Sequence, residues 1–121
     1  MDIVISKMAD KPIYLQIYDQ ISSQILRGEI KAGTQLPPIR TVAVDLRISV
    51  IPVKQAWECL DSNGYIITSP GRGTFVAEIK SDELDKKRNT KVEKLIKSFI
   101  DECKSMGLDK DSIVDIISKS W

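Results

Sequence analysis

The sequence predicts a mainly α-helical fold carrying one small β-hairpin, and three observations predict it. First, Leu36 to Asn63 holds two helical patterns either side of a break at Arg47-Ile48. Second, Gly64 to Ala77 holds two β-rich runs around a Pro-Gly tip. Third, the last third of the chain repeats apolar residues at helical spacing through Val92, Leu95, Ile96, Phe99, Ile100, Cys103 and Met106. Spacings of three and four residues place side chains on one helix face, whereas short β-branched runs between turn residues read as strands.

Residues 1–11 offer an alternating Ile3-Ile5 pair and then polar residues, which reads as a short extended arm. From Ile13, apolar Ile17, Ile21, Ile25 and Leu26 recur at helical spacing and stop before Gly28, giving a first helix of about four turns. Tyr14 and Tyr18 lie on or near that face, and Lys31-Ala32-Gly33-Thr34 reads as a turn. Pro37-Pro38 then starts a second helix, whose apolar face is Ile39, Val42, Ala43 and Leu46. A third helix carries Val53, Ala56, Trp57 and Leu60 on its inner face and closes at Gly64. Trp57 shares that face, so it is expected to anchor the core.

The start of the third helix poses a conflict. With Ser49 as the N-cap, Pro52 stands at the third helical position, where its missing N–H has no helical partner to lose. A residue before proline avoids the α region, however, which strains Ile51. Starting at Pro52 removes the strain and leaves Ile51 as a poor cap. The Ser49 start is favoured, with the Ser49 hydroxyl capping the Ile51 N–H.

Two short amphipathic helices with a tight link form a helix-turn-helix, whose second helix can enter a DNA major groove. A hairpin directly after it is a wing. The fold class is therefore a winged helix-turn-helix followed by a C-terminal helical hairpin, with residues 1–77 as the DNA-binding domain and 78–121 as a helical dimerisation region. Glu78 to Asn89 is nearly all charged or polar, a solvated linker or an exposed helix start. Gly107 ends the next helix, and Asp109 caps a last one carrying Ile113, Val114, Ile116 and Ile117.

Composition narrows the function. The 121 residues are 42% hydrophobic and 29% charged, as in an ordinary folded domain. Net charge is only +1, and neither half is basic: eight Lys+Arg face seven Asp+Glu in residues 1–77, ten face ten thereafter. Any DNA affinity must then come from a few well-placed cations, and a winged-helix protein-interaction module that does not bind DNA is the alternative. The chain has no histidine, no metal-like cysteine spacing and no nucleophile constellation, so no catalytic residue, metal or cofactor is expected. Cys59 and Cys103 read as buried thiols. No apolar run reaches the ~18 residues of a membrane span and no signal peptide opens the chain, which points to the cytoplasm.

The stretch Pro12-Ile13-Tyr14, Gln20-Ile21, Ile25, Gly28-Glu29, Gly33, Leu36-Pro37, Arg40, Ser49 and Gly71-Arg72-Gly73-Thr74-Phe75-Val76 resembles the GntR family of bacterial transcription regulators. The short remainder looks like the YtrA-like subgroup, with two further helices and no large ligand domain. The resemblance implies a repressor that binds double-stranded DNA; the long apolar stripe of the last two helices predicts a homodimer, and a two-fold dimer predicts an inverted-repeat operator. The resemblance also implies DNA contacts from Arg40, which in such regulators often meets guanine, and from Ser49 and the wing residues Arg72, Gly73 and Thr74. Thr41 beside Arg40 joins that set, as do Val50, Lys54 and Gln55 at the start of the third helix. Where relatives often carry arginine this chain has Val50, which cannot donate a hydrogen bond to a base; Val50 and Ile51 either face the groove or pack on the turn at Arg47-Ile48. The expected dimer interface is Val92, Leu95, Ile96, Phe99, Ile100, Cys103, Ile113 and Ile117. Two helices leave no room for an enclosed cavity of ~300 Å³, so no small-molecule effector is expected.

Overall fold

Apolar residues three and four apart build five helices, and a Pro-Gly turn builds one hairpin, in the computed structural model of residues 1–121. The order is α1 (Ile13–Leu26), α2 (Ile39–Leu46), α3 (Val50–Ser62), β1 (Ile66–Ser69), β2 (Gly73–Val76), α4 (Ser81–Ser105) and α5 (Lys110–Ser120). The chain divides into two units, Met1–Lys80 and Ser81–Trp121.

In the first unit α3 is the central element, and α1, α2 and β1 all pack on it. Ile17 and Ile21 of α1 meet Val53, Ala56 and Leu60 of α3 in a core that excludes water. Trp57 is buried with them, as its place on the stripe predicts. Tyr65 is buried where α3 hands over to β1, its ring edge-on to Tyr18 with centroids 6.1 Å apart and planes at 79°. Such T-shaped pairs set the positive ring edge against the negative face. Burial, reinforced by Tyr65, pushes the Tyr18 phenol up to about 12, so both hydroxyls stay neutral and serve packing.

The hairpin pairs β1 and β2 antiparallel, with Ile66 opposite Val76 and Ser69 opposite Gly73. A third extended segment, unseen in the sequence, lies along β2. Gly33 N–H donates to the Val76 carbonyl at 2.9 Å, Val76 N–H to Thr34 at 2.9 Å and Leu36 N–H to Thr74 at 2.8 Å. The hairpin is therefore tied to the segment that leads into α2, rather than hanging from α3 alone.

The N-terminal arm is extended, as expected, but its anchor is a row of glutamines. Gln16, Gln20 and Gln24 stand one helical turn apart on α1. Gln20 bonds both backbone groups of Val4, at 2.8 and 2.6 Å. Gln16 does the same for Ser6, at 2.9 Å each, and Gln24 reaches the Asp2 carbonyl at 2.6 Å. Alternate arm residues thus pair with side chains as they would with a neighbouring strand, while Ile3 and Ile5 turn inward and are half-buried.

In the second unit α4 begins at Ser81 and takes in all of the charged stretch but Glu78 to Lys80, so most of it is an exposed helix start and not a linker. Asp82 and Glu83 sit in its first turn, where acids favour the positive end of the helix dipole, and Arg88 bonds Asp85 at 3.0 Å. Gly107 closes α4, and Asp109 caps α5 by accepting from Ser112 N–H at 2.9 Å. That bond holds the Asp109 carboxyl below its usual range.

Candidate nucleic-acid interface

Arg47, the last residue before the link, holds the left-handed conformation at φ 57°, and its N–H and that of Ile48 close the end of α2. This sharp stop lets α3 begin after only two more residues. Ser49 has the extended conformation of an N-cap (φ −71°, ψ 164°) and α3 starts at Val50, so Pro52 does occupy the third helical position. The expected hydroxyl bond to the Ile51 N–H is not made, because the Ser49 side chain caps nothing. Proline at the next position removes the usual recipient of such a bond, which leaves the serine hydroxyl in solvent.

Along α3 the inner face of Val53, Ala56, Trp57 and Leu60 is buried, and Val50, Ile51, Lys54, Gln55 and Glu58 are exposed. Residues four apart stack on a helix, so Val50 with Lys54 and Ile51 with Gln55 form one outward strip. Val50 and Ile51 do not fold back on the turn at Arg47-Ile48: they remain 44% and 66% exposed. Arg40 and Thr41 are exposed in the first turn of α2.

The wing tip is a turn from Ser69 to Arg72, closed by Arg72 N–H to the Ser69 carbonyl at 3.0 Å. Pro70 and Gly71 fill its centre, and Gly71 has the positive φ (74°) that a type II turn asks of its third residue. Arg72 projects into solvent. Gly73, at φ 122°, is required twice over: its backbone suits no other residue well, and an added Cβ would lie 2.6 Å from Gln35 Nε2. That same amide donates to the Arg72 carbonyl at 3.1 Å. Gln35 thus fixes the height of the wing tip, a role with no signal in the sequence, since it depends on a glycine 38 positions away.

Arg40, Trp57, Gln35, Gly73 and Thr74 line one open cleft of about 300 Å³ between α2, α3 and the wing. The structure brings Arg40, Gly73 and Thr74 to this cleft, while Lys54, Gln55, Val50 and Ser49 stand on the outward strip and at its head. The ion pairs of this unit, Lys11–Asp19 and Arg27–Glu29, involve none of these cations. An arginine beside a helix start, a polar helix strip and a glycine-rich tip with one cation can meet phosphates and base edges together. No carboxylate–histidine or metal cluster accompanies them.

In the second unit the residues expected at a dimer interface are mostly exposed. Leu95 is 71% and Phe99 45% exposed, and Val92, Ile96, Ile100 and Ile117 also face solvent. Cys103 differs from them. It is buried, as expected of a thiol on the apolar stripe, whereas Cys59 is only half-buried rather than buried. Between α4 and α5 runs an apolar groove of about 450 Å³, open to solvent rather than enclosed, floored by Ile96, Phe99, Ile100, Ile113 and Ile117. Two helices leave it because the side chains along their seam meet no third layer.

Helix, turn, exposed helix and pinned hairpin in this order define a winged helix-turn-helix of the regulatory kind. The model of the gntR family of bacterial regulatory proteins matches residues 13–76, and the chain belongs to that family. Its members are DNA-binding transcription regulators, not enzymes. The chain is 30% identical over 107 residues to the transcriptional regulator YhcF of Bacillus subtilis, covering 88% of each. It is 28% identical over 117 residues to the repressor YtrA of the same organism, covering 97% of this chain and 90% of that one. Among solved structures, a GntR family regulator from Listeria monocytogenes superposes with a TM-score of 0.80 at 27% identity, covering 95% of this chain and 98% of that one. The DNA-binding domain of AraR, solved on operator ORR3, superposes with a TM-score of 0.53 at 27% identity, covering 64% and 93%.

Proposed function

We propose that this protein is a cytoplasmic homodimeric repressor that binds an inverted-repeat operator. Residues 1–77 form its DNA-binding part and 78–121 its dimerisation part. Arg40, Thr41, Ser49, Val50, Lys54, Gln55, Arg72, Gly73 and Thr74 make the DNA surface. The observation that carries this reading is the exposed α3 strip standing beside Arg40 and a wing whose tip Gln35 holds in place. AraR uses a similar domain on its operator, and YtrA, similar over nearly the whole chain, is a repressor. A two-fold dimer would place half-site centres about one helical turn apart. The near-zero net charge favours a second reading, a protein-binding winged helix, which predicts no footprint and a partner insensitive to salt.

Gel-shift titration of the full chain against sites selected from a random pool decides between them. Arg40→Ala should cost ~1–3 kcal/mol and relax preference at one guanine. Lys54→Ala and Arg72→Ala should weaken all sequences alike and lower the salt slope by about one each. Wild-type affinity in all three variants would remove the surface from consideration.

A further inference from the structure

Two β-branched side chains stand in solvent at the end of α3 that a major groove would receive. Val50 and Ile51 are more exposed than any apolar residue on the helix's inner face, and nothing in the Met1–Lys80 unit covers them. They are not needed to start the helix. Ser49 supplies the extended cap conformation and Pro52 a preset φ, whereas β-branched residues are mediocre helix formers. Exposed cations accompany them: Lys54 one turn further on in α3, with Arg40 in α2 and Arg72 at the wing tip. The surface that covers them is therefore polyanionic overall and apolar at one point.

In the major groove that point has one chemical identity. Side chains without a donor or acceptor cannot read base edges by hydrogen bonds, and the apolar group displayed there is the C5-methyl of thymine. Valine and isoleucine in a helix hold essentially one χ1 rotamer, so their methyl groups are presented already ordered. We infer that Val50 and Ile51 form a subsite for a 5-methylpyrimidine, thymine in unmodified DNA, once in each half-site. The inference rests on the DNA-binding reading above and names what that surface reads. Cytosine methylated at C5 carries its methyl at the same ring position and belongs to the same ligand class.

The test removes a single methyl group. In the selected operator, each thymine of a half-site is replaced in turn by deoxyuridine, which differs only at C5, and affinity of the full chain is measured. One position should lose about fourfold, the ~0.8 kcal/mol of one buried methyl-sized group. In the Val50→Ala, Ile51→Ala variant, whose changes lie at exposed positions, that loss should vanish while the melting temperature stays near wild type. Placing 5-methylcytosine for thymine, with guanine opposite, should be tolerated better than unmethylated cytosine. Sequence-specific binding with no uracil-sensitive position overturns the inference and leaves the DNA-binding reading standing. A uracil effect that persists in the double variant also overturns it, since another group then reads the methyl. Absence of any DNA binding overturns both.

Discussion

Arg47 shows what one residue contributes at the turn of a helix-turn-helix. Its φ of 57° sets α2's end, and it is the one non-glycine residue with a positive φ. The left-handed region costs an L-residue roughly 1–2 kcal/mol, and glycine avoids most of this while losing ~0.5–1 kcal/mol through a freer unfolded chain. Arg47→Gly should accordingly stabilise the fold by up to about 1 kcal/mol, seen as a higher urea midpoint with an unchanged slope. A lower midpoint would mean that the arginine side chain makes up for its backbone. This residue also marks a limit of reading by type. Gly64 and Gly107 announced the ends of their helices because glycine is the usual stop, whereas Arg47 shares their conformation with no such signature. The break was legible only from the failure of the apolar spacing around it. Ser49 is the converse: its type and place gave the right start for α3, but the bond expected of its hydroxyl depended on geometry that Pro52 changes.

At the level of elements, helices whose faces are apolar were legible to within a residue or two, because burial decides them and composition records burial. Elements held by backbone or amide bonds were not. The segment 33–36 pairs with β2 through main-chain groups that every residue owns, so nothing in its side chains advertises a strand. The same holds for the glutamine row on α1, since glutamine on a helix surface usually meets only water. The start of α4 was ambiguous for another reason: charged residues suit a solvated helix and a linker equally, and the i,i+3 pair of Asp85 and Arg88 settles it for the helix. The glutamine row makes a local prediction. Gln20→Ala removes both bonds to Val4, and hydrogen exchange at the Val4 amide should accelerate severalfold or more. The Ser6 amide, held by Gln16, should stay protected, and global stability should fall by less than about 1 kcal/mol because the Val4 bonds are exposed. Equal acceleration at both amides would show that the arm is held as a whole by Ile3 and Ile5 instead.

For the whole molecule the decisive fact is how little the Ser81–Trp121 unit buries. Cys103 alone is buried along α4, and α5 buries nothing. Two helices of 25 and 11 residues thus carry Val92, Leu95, Ile96, Phe99, Ile100, Ile116 and Ile117 on their outsides, around a groove of about 450 Å³ with apolar walls. Isolated apolar residues on a surface are ordinary, but a continuous run of this kind is the mark of an interface. The homodimer proposed above would seat a second copy of the chain on it: an isologous contact sets the same stripe against itself, and stable dimers bury ~800 Å² or more per partner. Helix propensity alone holds such a pair of helices together poorly in water, so folding of this unit and association should be linked. Sedimentation at micromolar concentration should then give a dimer for the intact chain. Phe99→Asp, in the lining of the groove, should give a monomer that loses α4–α5 helicity along with its partner, while the Met1–Lys80 unit keeps its fold. A dimer that survives this charge would place the contact elsewhere, and a monomeric wild-type chain with full α4–α5 helicity would show that the hairpin needs no second copy.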